Sequence, residues 1–206
     1  MSRLYYIHDP MCSWCWGFAP VLTQLLSALP EGIEVRRVLG GLAVDSDVPM
    51  PVEMQSMLQE TWRRIEAKIP DTKFNFDFWT KCQPRRSTYP SCRAVIAARQ
   101  QGAQFDALMT TAIQSAYYQQ ARNPSDIETL VELANELGLD VDRFKEDLLS
   151  EATQQALEAE IELSRELHAE SFPSLVFEMG SATWAVPIDY RNAKPMLELI
   201  RTFIEK

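Results

Sequence analysis

The polarity pattern divides the chain into three blocks, and the first block carries strand, helix and strand signals. A short apolar run covers residues 4–8, a helical pattern covers 12–29, and a second apolar run covers 33–39. Short apolar runs between turn residues predict buried strands, whereas apolar residues three and four apart predict a helix. A strand, a helix and a strand so close together form a βαβ unit, so we expect the two strands to be parallel.

The second block, from residue 52 to about 169, has an almost entirely helical pattern. Polar residues that favour helix starts lie inside it: a capping box over 125–128, and Asp140 and Ser150 as N-caps. Glycine or proline ends several of the segments. The predicted helices cover 52–69, 75–81, 90–101, 105–121, 125–138, 140–149 and 150–168.

The third block returns to strand signals and closes with a helix. Apolar runs at 174–178 and 182–186 flank a turn at Gly180 and predict an antiparallel hairpin, and a helix follows over 192–204. Neither end of the chain has enough strands for a stable sheet by itself, so we expect both ends to form one sheet. The predicted organisation is an α/β domain made of 1–48 and 167–206, interrupted by a helical insertion domain at 49–166.

Charge and length limit the kinds of partner and the cellular location that we expect for this protein. The chain has 206 residues, a net charge of −9 and a pI of about 4.8, which argues against nucleic acid or an anionic membrane as the main partner. No apolar run reaches the roughly 18 residues of a membrane span. The residues before the first strand lack the basic and cleavage signals of a signal peptide, so we expect a cytoplasmic protein. That compartment keeps thiols reduced, which favours catalytic over structural cysteines.

A Cys-x-x-Cys pair, Cys12 and Cys15, lies where the first strand turns into the first helix. The first helical turn has unpaired N–H groups and the positive end of the helix dipole, which together stabilise a negatively charged sulfur. The thiolate is the nucleophile of disulfide exchange. We expect Cys12 to be exposed at the helix start and Cys15, one turn in, to be more buried.

Three other interpretations of the pair are open. A structural zinc site needs four ligands, and neither Cys82, Cys92, His8 nor His168 completes a recognisable pattern. A structural disulfide over so short a loop would constrain little chain. Two unrelated core cysteines would not explain the strand-to-helix position. The sequence therefore predicts a redox pair, without a metal ion or a cofactor.

The plan and the motif from Asp9 to Gly17 resemble the thioredoxin superfamily, and within it the DsbA-like thiol–disulfide oxidoreductases. The motif is similar to the Asp-x-x-Cys-x-Trp-Cys pattern of cytoplasmic DsbA-family proteins. The resemblance implies a thioredoxin-like fold with a large all-helical insertion between the second strand and the C-terminal hairpin. It also implies that Cys12 attacks a substrate disulfide and that Cys15 resolves the mixed disulfide.

The resemblance implies further site residues. Pro173, after Phe172, matches the proline that the superfamily holds in a cis bond against the cysteines, so both residues are predicted to bind substrate. Trp14, between the cysteines, is predicted to contact an apolar polypeptide segment. The superfamily's buried carboxylate, six residues before the first cysteine, is replaced here by Tyr6.

Proton transfer in the absence of that carboxylate has two candidates. Asp9 either carries protons or caps the site turn, and His8 either carries protons or is a packed residue at the end of a strand.

In the insertion, Cys92 is either reactive at a helix start or a small buried residue, and Cys82 has no predicted role. Four basic residues there either meet glutathione or an acidic substrate, or form a solvated face: Lys81, Arg85, Arg86 and Arg93.

Three functions follow from these features. The first is a dithiol–disulfide oxidoreductase of the reductase or isomerase type, with protein or peptide substrates and glutathione or another cellular thiol as reductant. The second is a thioredoxin-like polypeptide-binding adaptor without essential redox activity. The third is a relative of the kappa-type glutathione transferases or isomerases, a branch that typically has serine where Cys12 stands.

Overall fold

Both ends of the chain contribute strands to one sheet. The computed structural model describes residues 2–205 and has strands β1 (Ser2–His8), β2 (Ile33–Leu39), β3 (Ser174–Met179) and β4 (Ala182–Val186). Their order is β2-β1-β3-β4, with β1 parallel to β2 and antiparallel to β3, and β3 antiparallel to β4. The predicted parallel pair, the hairpin and the shared sheet are confirmed. Residues 1 and 206 of the predicted domain lie outside the described range.

The helices follow the predicted order, with seven between β2 and β3 in the described residues. They are α1 (Ser13–Ser27), α2 (Val52–Lys68), α3 (Phe78–Lys81), α4 (Tyr89–Arg99), α5 (Phe105–Tyr118), α6 (Ile127–Glu136), α7 (Val141–Leu148), α8 (Glu151–Glu166) and α9 (Lys194–Ile204). Helix α1 carries Pro20 inside it. None of the helices within residues 2–205 is long and apolar enough to cross a membrane.

Two of the three helix N-terminal caps predicted from the sequence are present in the structure. The Asp140 and Ser150 side chains each accept a backbone N–H in the first turn, so these N-caps are confirmed. The capping box is wrong: α6 begins after Asp126 without a side-chain cap. Ser125 Oγ instead donates to the Ser87 carbonyl oxygen at 2.7 Å. A tertiary partner thus replaces the local one that the sequence suggested.

Two apolar cores lie on either side of the site. The first packs α1 and α9 against the sheet through residues such as Phe18, Phe177 and Ile200. The second fills the helical insertion around Trp62, whose ring stacks on Phe74 at 4.9 Å between centroids. A smaller cluster packs the end of α8 on the other face of β1. Because α8 touches both the sheet and the insertion, the domain boundaries at 48 and 167 stay a prediction.

Buried charges join the insertion to the outer edge of β2. Glu160 Oε2 accepts the Leu39 backbone N–H at 2.7 Å, and its other oxygen accepts from Arg99 at 2.6 Å. Asp106 pairs with both Arg37 on β2, at 2.7 Å, and Arg99, at 2.8 Å. Each of these carboxylates therefore has a cationic partner, which is the condition under which buried charges are tolerated.

Gly40, directly after β2, makes room for the ring of Phe172. A Cβ atom built on Gly40 would lie 2.0 Å from that ring, so the ring would have to move. We expect Gly40→Ala to lower the free energy of unfolding by about 1–3 kcal/mol, because overpacking displaces the ring. Urea unfolding measures the change. In a Phe172→Ala background the same alanine should cost much less, and an equal cost in both backgrounds would contradict the steric explanation.

Candidate active site

The structure places the Cys12 sulfur at the N-terminus of α1 and against the loop before β3. Cys12 is the N-cap residue of that helix, and its Sγ donates to the Phe172 carbonyl oxygen at 3.3 Å. The prediction that Cys12 is exposed is wrong, because only 6% of its surface is accessible to solvent. The Phe172 carbonyl covers the sulfur from a segment 160 residues away in the chain.

Cys15 lies one turn further along α1 and is completely buried. Burial raises the pKa of its thiol well above the ordinary value, and the hydrogen bond with Cys12 raises this pKa further. At neutral pH Cys15 therefore keeps its proton, which it shares with the neighbouring sulfur. Cys12 and Cys15 are both free thiols in this structure, which therefore describes the dithiol form of the pair.

Tyr6 occupies the position beside Cys15 that the resemblance assigns to a carboxylate. Its side chain hydrogen-bonds Cys15, and burial, followed by the Cys15 charge, raises the pKa of Tyr6 well above its usual range. The Tyr6 ring also stacks on His8 at 4.7 Å. The group next to the resolving cysteine is thus a neutral hydroxyl, not an anion.

His8 is completely buried at the end of β1, and neither ring nitrogen has a hydrogen-bond partner among residues 2–205. Burial lowers the pKa of His8 well below its usual value, and the charges of Arg37 and Arg99 lower it further, so the imidazole is neutral. No hydrogen bond within that range joins His8 to Cys12 or Cys15. Its role in proton transfer stays a prediction.

Asp9 ties the site turn to the rest of the molecule. Its Oδ1 accepts the Met11 backbone N–H at 2.8 Å, which fixes the turn before Cys12. Its Oδ2 accepts from the Leu42 backbone N–H and the Thr88 hydroxyl, both at 2.7 Å, and from Cys92 Sγ at 3.4 Å. Four donors from three parts of the chain favour the capping role, and the proton-transfer role stays a prediction.

The cis-proline segment meets the cysteine pair through the Phe172 carbonyl oxygen, which accepts from Cys12 Sγ. The Phe172–Pro173 peptide bond is cis, Pro173 is buried and Phe172 is half-buried. Beside Phe172 a polar cavity of about 180 Å³ opens between Gly40, Tyr89 and Arg165. The ring of Phe172 therefore borders this cavity, while its carbonyl oxygen contacts Cys12.

Trp14 is half-buried and points to the side where α2 ends. Its ring packs at 5.1 Å from the Tyr190 ring, which in turn meets Phe18 edge-on at 5.9 Å. Lys68 Nζ lies 5.3 Å from the centroid of the Trp14 ring. The predicted substrate-contacting residue is thus bordered by an aromatic ring and a cation.

Both cysteines of the insertion and two of its arginines have structural partners. Cys92 is buried and its Sγ donates to Asp9 Oδ2, and Cys82 Sγ donates to the Ala121 carbonyl oxygen at 3.1 Å. Arg85 pairs with Asp126 at 2.6 Å, and Arg93 pairs with Asp45 at 2.7 Å. These arginines line a cavity of about 550 Å³ together with acidic residues, so the cavity has mixed charge.

Several residues that build the site were not predicted from the sequence. Thr88 and Leu42 bind Asp9, and the Tyr118 hydroxyl donates to the Met11 carbonyl oxygen at 2.7 Å. Tyr190 packs on Trp14. All four are far from the cysteine motif in the chain and belong to no spacing pattern, so only the tertiary structure identifies them.

Mild oxidation should join the two cysteines of α1 and leave the other two free. Cys15 hydrogen-bonds Cys12, whereas Cys82 and Cys92 donate to Ala121 and Asp9. We expect peptide mapping by mass spectrometry to find a Cys12–Cys15 disulfide in the main product. A disulfide from either of these two to Cys82 or Cys92 would contradict this assignment of the resolving cysteine.

A family model described as Thioredoxin matches residues 5–183. Among curated proteins, the ClpXP adapter protein SpxH of Halalkalibacterium halodurans is 25% identical over 178 residues, covering 85% of this chain and 58% of the relative. SpxH of Bacillus subtilis is 24% identical over 175 residues, covering 85% and 58%. The chain thus spans about 58% of the length of these relatives.

Solved structures match nearly the whole chain. One from Nitrosomonas europaea, provisionally named a protein disulfide isomerase, has a TM-score of 0.84 and 26% identity and covers 99% of this chain and 98% of its own. The cytosolic disulfide reductase DsbM from Pseudomonas aeruginosa has a TM-score of 0.73 and 25% identity, covering 98% and 97%, and has also been solved with GSH. The predicted thioredoxin-like fold with a helical insertion is confirmed.

Proposed function

Because this chain belongs to the thioredoxin family and is a DsbA-like member of it, we propose that it is a dithiol–disulfide oxidoreductase of the protein disulfide reductase or isomerase type. One observation carries the proposal. The Cys12 sulfur lies at the N-terminus of α1, 3.3 Å from the Phe172 carbonyl oxygen, with the buried thiol of Cys15 hydrogen-bonded beside it. This is the arrangement that one attacking and one resolving sulfur require.

The reaction proceeds through a mixed disulfide. The Cys12 thiolate attacks one sulfur of a substrate disulfide, forms a new S–S bond and releases the other substrate sulfur, which takes up a proton. Cys15 then loses its proton and attacks Cys12, which breaks the mixed disulfide and releases the second substrate thiol. Two electrons pass from the two cysteines to the substrate. Two molecules of glutathione or of another cellular thiol then return the pair to its reduced form: the first forms a mixed disulfide with the pair, and the second releases it as the oxidised disulfide of the reductant.

Other residues take supporting roles in this proposal. Phe172 and Pro173 hold the substrate segment next to Cys12, and Trp14 contacts its side chains. Asp9 is a positioning residue that fixes the turn carrying Cys12. The first proton acceptor for Cys15 is water or the leaving thiolate, since neither His8 nor the Asp9 carboxylate hydrogen-bonds a sulfur of the pair within residues 2–205. The cytosol is the proposed location, in keeping with the description of DsbM.

Reduction of insulin by the protein, with glutathione and glutathione reductase as the electron supply, tests this function. We expect turnover that depends on the protein concentration and consumes one NADPH per disulfide reduced. Protein without turnover on insulin and on small peptide disulfides would overturn the proposal. The variants that assign the turnover to the cysteines are given in the Discussion.

A second candidate function is supported by the curated relatives, which are named adapters of ClpXP. In this role the chain binds a polypeptide and presents it for degradation, and no resolving cysteine is needed. Protein half-lives measured by mass spectrometry in cells without the gene, with wild type, and with Cys12→Ala/Cys15→Ala separate the two. An adaptor shortens the half-life of a target in both complemented strains, whereas a loss of the effect with the cysteines favours the redox function.

A further inference from the structure

Two cations of α2 lie over the aromatic rings that border the cysteine pair. Lys68 Nζ is 5.3 Å from the centroid of the Trp14 ring and 5.2 Å from that of Tyr190. The Arg64 guanidinium, one turn earlier on the helix, is 5.9 Å from the Trp14 ring. We refer to Trp14, Arg64, Lys68 and Tyr190 as the basic patch.

The charges of the basic patch are not compensated. Both Arg64 and Lys68 are exposed, and within residues 2–205 neither forms an ion pair with a carboxylate. The chain as a whole carries a net charge of −9. Several other arginines do form ion pairs with carboxylates, among them Arg85, Arg93 and Arg122. At the basic patch the uncompensated positive charge lies over the ring of Trp14, two residues from Cys12.

Close packing of α2 on α1 keeps the basic patch beside the sulfurs. A Cβ atom on Gly17 would lie 2.8 Å from Ile69 and 3.2 Å from Ile65, so glycine at this position permits the approach of the two segments. Tyr190 is itself close to the pair: burial raises its pKa, and the charges of Cys15 and Cys12 raise it further. Trp14 follows Cys12 by two residues.

We propose that the basic patch binds carboxylates next to the cysteine of a peptide substrate, and that it gives the protein a preference for disulfides in acidic segments. This inference rests on the proposed oxidoreductase function. An extended chain advances about 3.3–3.6 Å per residue, so side chains one or two residues from a sulfur held on Cys12 are within reach of the patch. Exposed cations attract such carboxylates, while the two rings accept the methylene groups of glutamate.

Three peptide disulfides test the preference. They share one sequence and carry glutamate, glutamine or lysine at the positions flanking the cysteines, and kcat/KM for reduction is measured at low salt. For wild type we expect the glutamate peptide to exceed the glutamine peptide by about fivefold, because two exposed ion pairs contribute this much together. The lysine peptide should be reduced most slowly, and added salt should reduce the differences.

The variant Arg64→Gln/Lys68→Gln should bring the glutamate-to-glutamine ratio close to one. Arg63→Gln is the matched control, because Arg63 is an exposed cation of the same helix that lies over Phe76, 5.2 Å from its ring centroid. It should keep the wild-type ratio. A wild-type ratio near one, or an unchanged ratio in the double variant, overturns the inference. A double variant that loses preference only toward oxidised glutathione overturns the assignment to peptides.

A binding measurement distinguishes failure of the carboxylate preference from failure of the oxidoreductase function on which it rests. Calorimetry with the reduced glutamate peptide needs no turnover, and we expect wild type to bind it more tightly than the double variant does, by about fivefold. If none of the disulfides is reduced but this difference is found, the oxidoreductase function fails and carboxylate recognition stands. If all disulfides are reduced equally and binding is equal, the function stands and the basic patch has no such role.

Discussion

Cys12→Ser should lower the rate of disulfide reduction by roughly 1000-fold or more, the largest effect that we expect of any single substitution. The serine hydroxyl is not ionised at neutral pH and cannot form the mixed disulfide, so the first step is lost rather than slowed. The Cys12 sulfur is also the one that meets the carbonyl oxygen of Phe172, which the proposed function assigns to substrate binding. Insulin reduction followed by turbidity, and peptide disulfide reduction followed by NADPH consumption, measure the change.

Two other cysteine variants show whether the loss is specific to attack. Cys15→Ser keeps the attacking sulfur and should accumulate a mixed disulfide with substrate, visible as a mass increase that a reductant removes. Cys82→Ser changes a half-buried thiol bonded to Ala121 and should keep wild-type turnover. Residual turnover above about one tenth of wild type in Cys12→Ser would show that another group is the nucleophile.

Asp9→Ala should lower the free energy of unfolding by about 3–5 kcal/mol, because the buried donors on Asp9 lose their acceptor. The carboxylate holds the Met11 and Leu42 backbone N–H groups and the Thr88 hydroxyl at 2.7–2.8 Å, and the alanine side chain has no acceptor atom to replace it. Cys92→Ala removes only the longest of the four bonds, 3.4 Å, and should cost clearly less. Urea unfolding monitored by tryptophan fluorescence gives both values, and equal costs would contradict the network.

The pH dependence of stability reports on the same carboxyl group. Burial raises the pKa of Asp9 in the folded chain, although its four donors oppose the shift. The folded state therefore holds the proton more tightly than the unfolded state, whose value is about 3.9. Tighter proton binding by the folded state increases the free energy of unfolding. This contribution is fully present below the pKa of the unfolded state and is lost as the pH rises through the pKa of the folded state. In Asp9→Asn this loss should be absent, so a pH profile identical to wild type would refute the assignment.

The fold could be predicted because its signals are local. The apolar runs of β1 and β2, the helical spacing between them, and the hairpin around Gly180 each lie within a few residues of chain. The position of Cys12 at a strand-to-helix junction follows from the same local pattern. Backbone hydrogen bonding and burial of one face then leave few ways to join these elements.

The environment of the cysteines could not be predicted because it depends on contacts between distant segments. Cys12 is covered by Phe172, and Asp9 finds Thr88 and Cys92 on a helix some 80 residues further along. The basic patch needs the end of α2 to lie against α1, which depends on the fit of Ile69 over Gly17. A linear sequence carries no periodic signal for such pairings, so the motif identified the attacking atom but not its surroundings.

The bond from Leu39 to Glu160 also bears on how the protein behaves at high concentration. An outermost strand leaves a row of backbone donors and acceptors that can pair with the same strand of another molecule, the first step of sheet-like aggregation. At Leu39 the donor that faces away from the sheet is occupied by a carboxylate of α8. The helical insertion thus helps to block association through this end of β2, a protective role separate from any contribution to chemistry.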